Sequence, residues 1–250
     1  MGGRVSSGCD AACGGGTTSP YIENGRFAEL IIEPGEIAHS ADVGLTATRR
    51  DETSPVGPIT LLDKSELLPA EKAKEALCLP ADAPAVLLQL GGGANRDVLA
   101  LVDKIVHELK SFPDLQIVMA EWGNGLYDLP LWENTRILRG FPISKYFNAF
   151  DFSIAAAGYN TFHEVLEFQL PTIFIPNRDP SMDDQGGRAD FAQDQGAGFV
   201  LAEDQMFHLK ALCDALLNEA ARNVVRQNCQ NLSQPNGASG AAQLIAEVCA

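Results

Sequence analysis

From about residue 81 the sequence alternates short apolar runs with amphipathic stretches, and this alternation limits the fold more than any other feature. The runs "AVLLQL", "LQIVMA", "TRILR", "FSIAAA", "TIFIP" and "GFVL" have the length of strands, and helical patterns over residues 95 to 111 and 160 to 168 stand between some of them. Strands joined by helical crossovers pair in parallel. A parallel sheet is covered on both faces, which is why each run is continuously apolar. The predicted fold class is α/β, a doubly wound, Rossmann-like parallel sheet. In the common strand order 3-2-1-4-5-6, the first strand (86 to 90) and the fourth (152 to 157) lie side by side where the winding reverses, and ligands bind at their carboxyl ends.

A chain of 250 residues has room for one large domain or one and a half ordinary ones, and 46% hydrophobic against 20% charged residues is enough to build a core. The formal net charge of -15, with no run of Lys or Arg, sets the chain against nucleic-acid phosphates and anionic membranes. Any anionic ligand must be held by local backbone dipoles or single side chains. No apolar run approaches the ~20 residues of a membrane span, and the opening residues lack a charged start with an apolar run behind it. Cys9, Cys13, Cys78, Cys213, Cys229 and Cys249 form no CxxC pair and read as reduced thiols. The expected compartment is the cytoplasm, with peripheral membrane attachment through a partner as the variant.

The first part of the chain is different in texture. Residues 1 to 20, rich in Gly, Ser and Thr, read as loop or disorder, and residues 21 to 60 hold an apolar run and a Pro/Gly-punctuated link without a complete folding unit. Residues 61 to 250 are expected to form one domain, the one that carries the alternating pattern and the ligand site.

Two loops fall at the predicted switch point. Gly91, Gly92 and Gly93 leave backbone N–H groups unshielded before a helix expected to start near Asn95, which suits a diphosphate, although a tight turn uses the same residues. GxGxxG spacing is absent, which disfavours a dinucleotide. In "GYNTFHE", Gly158, Thr161 and Glu164 recur every three residues and share one helix face, so a carboxylate one turn in is placed to accept from a vicinal diol. The competing reading is an ordinary cap with Glu164 solvated. The loop after "TIFIP" adds Asp183, Asp184, Gln185 and Arg188, groups able to read sugar hydroxyls. A phosphate cradle, a diol acceptor and a hydroxyl reader together fit a nucleotide-sugar.

The string Gly158, Thr161, Glu164, Pro171, Pro176, Asp184, Gln185, Ala189, Gly196, Ala197 resembles the donor-binding C-terminal half of a MurG-like GT-B glycosyltransferase, the glycosyltransferase family 28 C-terminal domain. The similarity covers about residues 55 to 250, with "VGPI" (Val56 to Ile59) similar to the interdomain linker. It implies that Glu164 binds ribose hydroxyls, that Gly158, Tyr159, Asn160 and Thr161 meet the diphosphate, and that Asp184 and Gln185 read the donor sugar. "LLQLGGGANRD" resembles the family's first glycine loop. "LRGFPISKYF" resembles the segment whose backbone recognises uracil, around Phe141 to Ile143.

The chain departs from the family at Gln169, where Gly is usual, at Arg188, where Asn is usual, and at Thr60, where a basic residue is usual. Arg188 is expected to contact a phosphate or the sugar instead. The family's acceptor half has no full counterpart in residues 21 to 60, so the chain is expected to be a fragment or a donor subunit that works with an acceptor-domain partner chain. The activity implied is inverting transfer of a hexosyl group from a UDP-sugar, UDP-GlcNAc-like, to a lipid-linked sugar, glycan or small molecule, with no cofactor and no metal. A nucleotide-sugar epimerase and a non-catalytic sugar-nucleotide-binding subunit are the alternatives. No catalytic base is assigned: His39 reads as a surface histidine and His163 as packed or exposed. Trp122 and Trp132 read as loop aromatics or a partner-facing cover.

Overall fold

The apolar runs become strands of one sheet in the computed structural model, which describes residues 6–7, 27–38, 50–91, 97–121, 135–179 and 183–249. Within the first 60 residues, β1 (Ser6–Ser7), β2 (Ile31–Pro34) and β3 (Ser54–Val56) form a small parallel sheet in that order. After it come α1 (Ala70–Ala76), β4 (Ala85–Gln89), α2 (Val98–Leu109), β5 (Gln116–Ala120) and β6 (Thr135–Leu138). A 3-10 segment, Ile143–Ala149, then leads into β7 (Phe152–Ala155), α3 (Tyr159–Glu167), β8 (Thr172–Phe174), α4 (Gln185–Asp194) and β9 (Phe199–Val200). The chain closes with α5 (Leu209–Leu217), α6 (Glu219–Leu232) and α7 (Ala238–Cys249).

The large sheet runs β6-β5-β4-β7-β8-β9, all parallel, which is the expected 3-2-1-4-5-6 order. Its central strands are buried on both faces: Val86, Leu87, Phe152 and Ile154 are fully covered, as the continuous apolar runs require. β4 and β7 pair with Leu87 opposite Ser153 and Gln89 opposite Ala155, so their carboxyl ends open side by side. That pairing fixes where the site lies.

The helix expected from Asn95 begins at Val98, because the Asp97 side chain accepts from the Ala100 N–H at 3.0 Å and caps it. Leu101, Val102, Ile105, Val106 and Leu109 then form the buried face at helical spacing. The linker after β3 is crossed by the turn before α7. Gly237 N–H donates to the Pro58 carbonyl at 2.8 Å, and a Cβ on Gly57 would stand 2.5 Å from the Pro235 carbonyl oxygen, so only glycine fits there. Asn236 reinforces the crossing by accepting from Thr60 N–H and donating to the Thr60 carbonyl. The C-terminal helix α7 returns to pack on β3.

Candidate functional site

Three loops meet at the carboxyl ends of β4, β7 and β8. Gly91, just past β4, has φ of +87°, a backbone conformation that glycine takes without strain. Gly92, Gly93 and Asn95 lie outside the described residues, as do His39, Trp122 and Trp132. Gln89, the last residue of β4, points its amide at the next loop and donates from Nε2 to Thr161 Oγ1 at 3.1 Å. Its Oε1 is buried without a partner.

After β7 the chain turns through Gly158, the residue that caps α3, and Phe162 N–H donates to the Gly158 carbonyl at 2.9 Å. Helix geometry leaves the N–H groups of Tyr159, Asn160 and Thr161 without intrahelical acceptors, and these lie at the positive end of the helix. The Tyr159 side chain turns away from that end: its hydroxyl donates to the Gly35 carbonyl at 2.8 Å, and its ring lies 4.1 Å from that of His163. Only its backbone faces the switch point with Asn160 and Thr161.

Glu164 is not solvated, so the ordinary-cap reading is overturned. It is 5% exposed, and Ser144 Oγ donates to its Oε1 at 2.9 Å. Burial raises its pKa, and the Ser144 hydrogen bond and the nearby Leu61 backbone pull the other way without cancelling that rise. The Ser144 hydroxyl leaves the carboxylate with acceptor capacity for a diol. The segment that supplies Ser144 carries Ile143 beside it and Phe141 in solvent at 81% exposure, so the predicted base-recognition stretch borders the buried carboxylate.

After β8, Asp184 caps α4 by accepting from Gly187 N–H at 2.8 Å and is exposed, whereas Gln185 is buried. Gln185 Oε1 accepts from Asn177 N–H at 3.1 Å and Nε2 donates to Asp183 Oδ1 at 3.3 Å. Gln185 Nε2 also stands 4.0 Å from where a Cβ on Gly158 would be, so the second and third loops touch. Arg188 sits otherwise than its expected role requires. It is 4% exposed, its Nε donates to Glu36 Oε2 at 2.7 Å and its Nη1 to Asp183 and the Ala157 carbonyl, and it lies over the Tyr159 ring. Those bonds commit it to protein groups rather than to a phosphate or sugar.

Glu36 was not singled out by its sequence context. Burial alone would raise its pKa, but the hydrogen bond and charge of His163 and then the Arg188 guanidinium outweigh burial and hold it at about 2. His163 is fully buried. Its Nδ1 donates to the Tyr159 carbonyl at 2.8 Å, and its Nε2 lies 3.3 Å from both the Ile37 N–H and Glu36 Oε1. A neutral ring accepts from Ile37 and a protonated ring donates to Glu36, so neither nitrogen opens on the cleft as a base. Thr60 is likewise buried, donating to the Leu62 carbonyl at 2.9 Å. Among the described residues no three His, Cys, Asp or Glu side chains converge as metal ligands.

A six-stranded parallel sheet in this order, covered by helices, is the architecture of the C-terminal Rossmann-like half of a GT-B fold. The glycosyltransferase family 28 C-terminal domain matches residues 99–245, more than half of the chain, and the protein belongs to that family. The chain is similar in structure to the calicheamicin glycosyltransferase CalG4 at 18% identity and TM-score 0.59, covering 88% of this chain and 52% of that one. It is also similar to Acinetobacter baumannii MurG, with 19% identity, TM-score 0.56 and coverage of 91% and 62%. A third similar structure is the spinosyn rhamnosyltransferase SpnG complexed with thymidine diphosphate, with 21% identity, TM-score 0.56 and coverage of 86% and 57%. The chain thus spans somewhat over half the length of these structures. No curated protein sequence matches it significantly. Among the described residues no helix is long and apolar enough to cross a membrane.

Proposed function

We propose that this chain is the donor half of a glycosyltransferase that binds a UDP-sugar, UDP-GlcNAc-like, and transfers the hexosyl group with inversion and without a metal. The observation that carries the reading is Glu164: a carboxylate buried at the switch point, held by Ser144, and bordered by the 141 to 143 stretch. Such pre-organisation suits a ribose diol. The diphosphate would lie on the N-terminal N–H groups of α3 and the Gly91 turn, whose dipoles favour the charge that grows as the sugar–phosphate bond breaks. In the reaction the acceptor oxygen bonds to the anomeric carbon from the face opposite UDP, its proton passes to a base, and UDP leaves. Gln185 would face the sugar. An acceptor-binding half, in the same polypeptide or a partner chain, completes the site in this reading, as the coverage of the similar structures supports.

The base is tested together with the site, since the SpnG structure contains thymidine diphosphate. Calorimetric titration of UDP, thymidine diphosphate and UDP-GlcNAc into the chain and into Glu164→Ala should show uridine binding that weakens at least about tenfold in the variant, the equivalent of losing hydrogen bonds to a charged group. Equal binding by both folded proteins would remove Glu164 from the site.

A further inference from the structure

We infer that Glu36 is a positioning residue for the sugar end of the donor site, acting through Arg188 and Asp183 on the side-chain amide of Gln185. The inference rests on the reading of Gln185 as the sugar-facing group. Each link in the route is a direct contact: Glu36 to Arg188 at 2.7 Å, Arg188 to Asp183, Asp183 to Gln185 at 3.3 Å, and Gln185 to the Asn177 N–H at 3.1 Å.

The two ends of the route set the orientation of the amide. A carboxylate only accepts and a backbone N–H only donates, so Nε2 must face Asp183 and Oε1 must face Asn177; the flipped amide would oppose donor to donor and acceptor to acceptor. One Nε2 proton and one Oε1 lone pair remain for a ligand, beside Gly158. The orientation lasts only while the Asp183 carboxylate stays in place. Arg188 holds it there, and Arg188 is itself buried and anchored on Glu36 and the Ala157 carbonyl. Glu36 lies in the segment ahead of the linker, 152 residues from Arg188 in sequence, so the amide is set from the other part of the chain.

The variant Glu36→Gln keeps the shape and leaves Arg188 balanced by Asp183, so it should fold. If the route positions the amide, UDP-GlcNAc binding weakens about tenfold while UDP binding changes less than about twofold, because UDP does not reach Gln185. A role confined to holding the chain together would move both affinities equally, and that result, or no change in either, overturns the inference. The side-chain amide proton and nitrogen signals of Gln185 report the route without any ligand. They should shift and exchange faster with water in Glu36→Gln, and signals identical to the wild type would overturn the route. A wild-type chain that binds neither ligand refutes the donor reading, and the amide signals alone then decide the route.

Discussion

At the scale of single residues, two carboxylates, the part-buried Glu36 and the buried Glu164, respond to pH in opposite directions. Glu36 has an ordinary value of 4.5 but is held at about 2 in the fold, so its contribution is complete above the ordinary value and is lost as pH falls from 4.5 towards 2. With its side chain 14% exposed, that contribution is on the order of 3 kcal/mol. Glu164 is raised from its ordinary value, so its protonated form favours the fold at low pH, and that support fades as pH rises through the interval above 4.5. Urea titrations of the wild type and Glu36→Gln at pH 2, 3, 4 and 6 should show a stability gap that is small near pH 2 and widens to about 3 kcal/mol above pH 5. A gap that does not change with pH would mean that Glu36 is not charged in the pair. The carboxylate with the raised pKa is the one placed at the switch point, as expected where burial prepares a group for a ligand.

At the scale of elements, the strands of the large sheet were legible because burial on both faces leaves them almost uniformly apolar, and β4, β5, β7 and β8 fall within the predicted runs. The expected strand order also held, and it puts Gly91, Gly158 and Glu164 at one end of the sheet. Less legible were contacts made across sequence. Ser144 meets Glu164 across 20 residues and Glu36 meets Arg188 across 152, and no local pattern marks such pairs. Gln89 did carry a signal, as the one polar residue in "AVLLQL". Arg222 is another long-range tie. From α6 it donates to the Leu216 and Leu217 carbonyls at the end of α5, at 2.8 and 2.9 Å, and pairs at 3.0 Å with Asp151, which in turn accepts from Ala85 N–H at the start of β4. Arg222→Ala leaves two carbonyls and a largely covered carboxylate without their donor, so it should lower unfolding free energy by about 2–3 kcal/mol in urea denaturation. A loss below about 0.5 kcal/mol would mean that water replaces the guanidinium without cost.

At the scale of the whole molecule, the described residues ahead of the linker meet the large sheet and its helices in two places. Near the site, Glu36, Ile37 and Gly35 meet Arg188, His163 and Tyr159; away from it, the 235 to 237 turn crosses the linker and sends α7 back to β3. The net charge of -15 makes the molecule as a whole repel an anionic donor, so the geometry at the switch point, not a broad field, must hold it. That geometry is tied to the crossing, because Leu61, whose backbone helps lower the pKa of Glu164 against its burial, follows directly on Thr60, which Asn236 fixes. The crossing admits no side chain: a Cβ on Gly237 would lie 2.0 Å from the Gly57 carbonyl oxygen, and backbone cannot yield as a flexible side chain can. Gly237→Ala should therefore lose at least about 2 kcal/mol of stability and expose α7 to limited proteolysis. Gly140→Ala is the matched control, since its added Cβ would meet nothing nearer than a Leu138 methyl at 4.0 Å, and it should stay within about 0.5 kcal/mol of the wild type. Gly237→Ala should also weaken UDP binding by displacing the backbone at Thr60 and Leu61 beside Glu164; Gly140→Ala, next to the 141 to 143 stretch, is the control for stability and proteolysis. If both variants match the wild type in stability and proteolysis, the crossing is not a tight joint and Glu164 is held by its own helix and Ser144 alone.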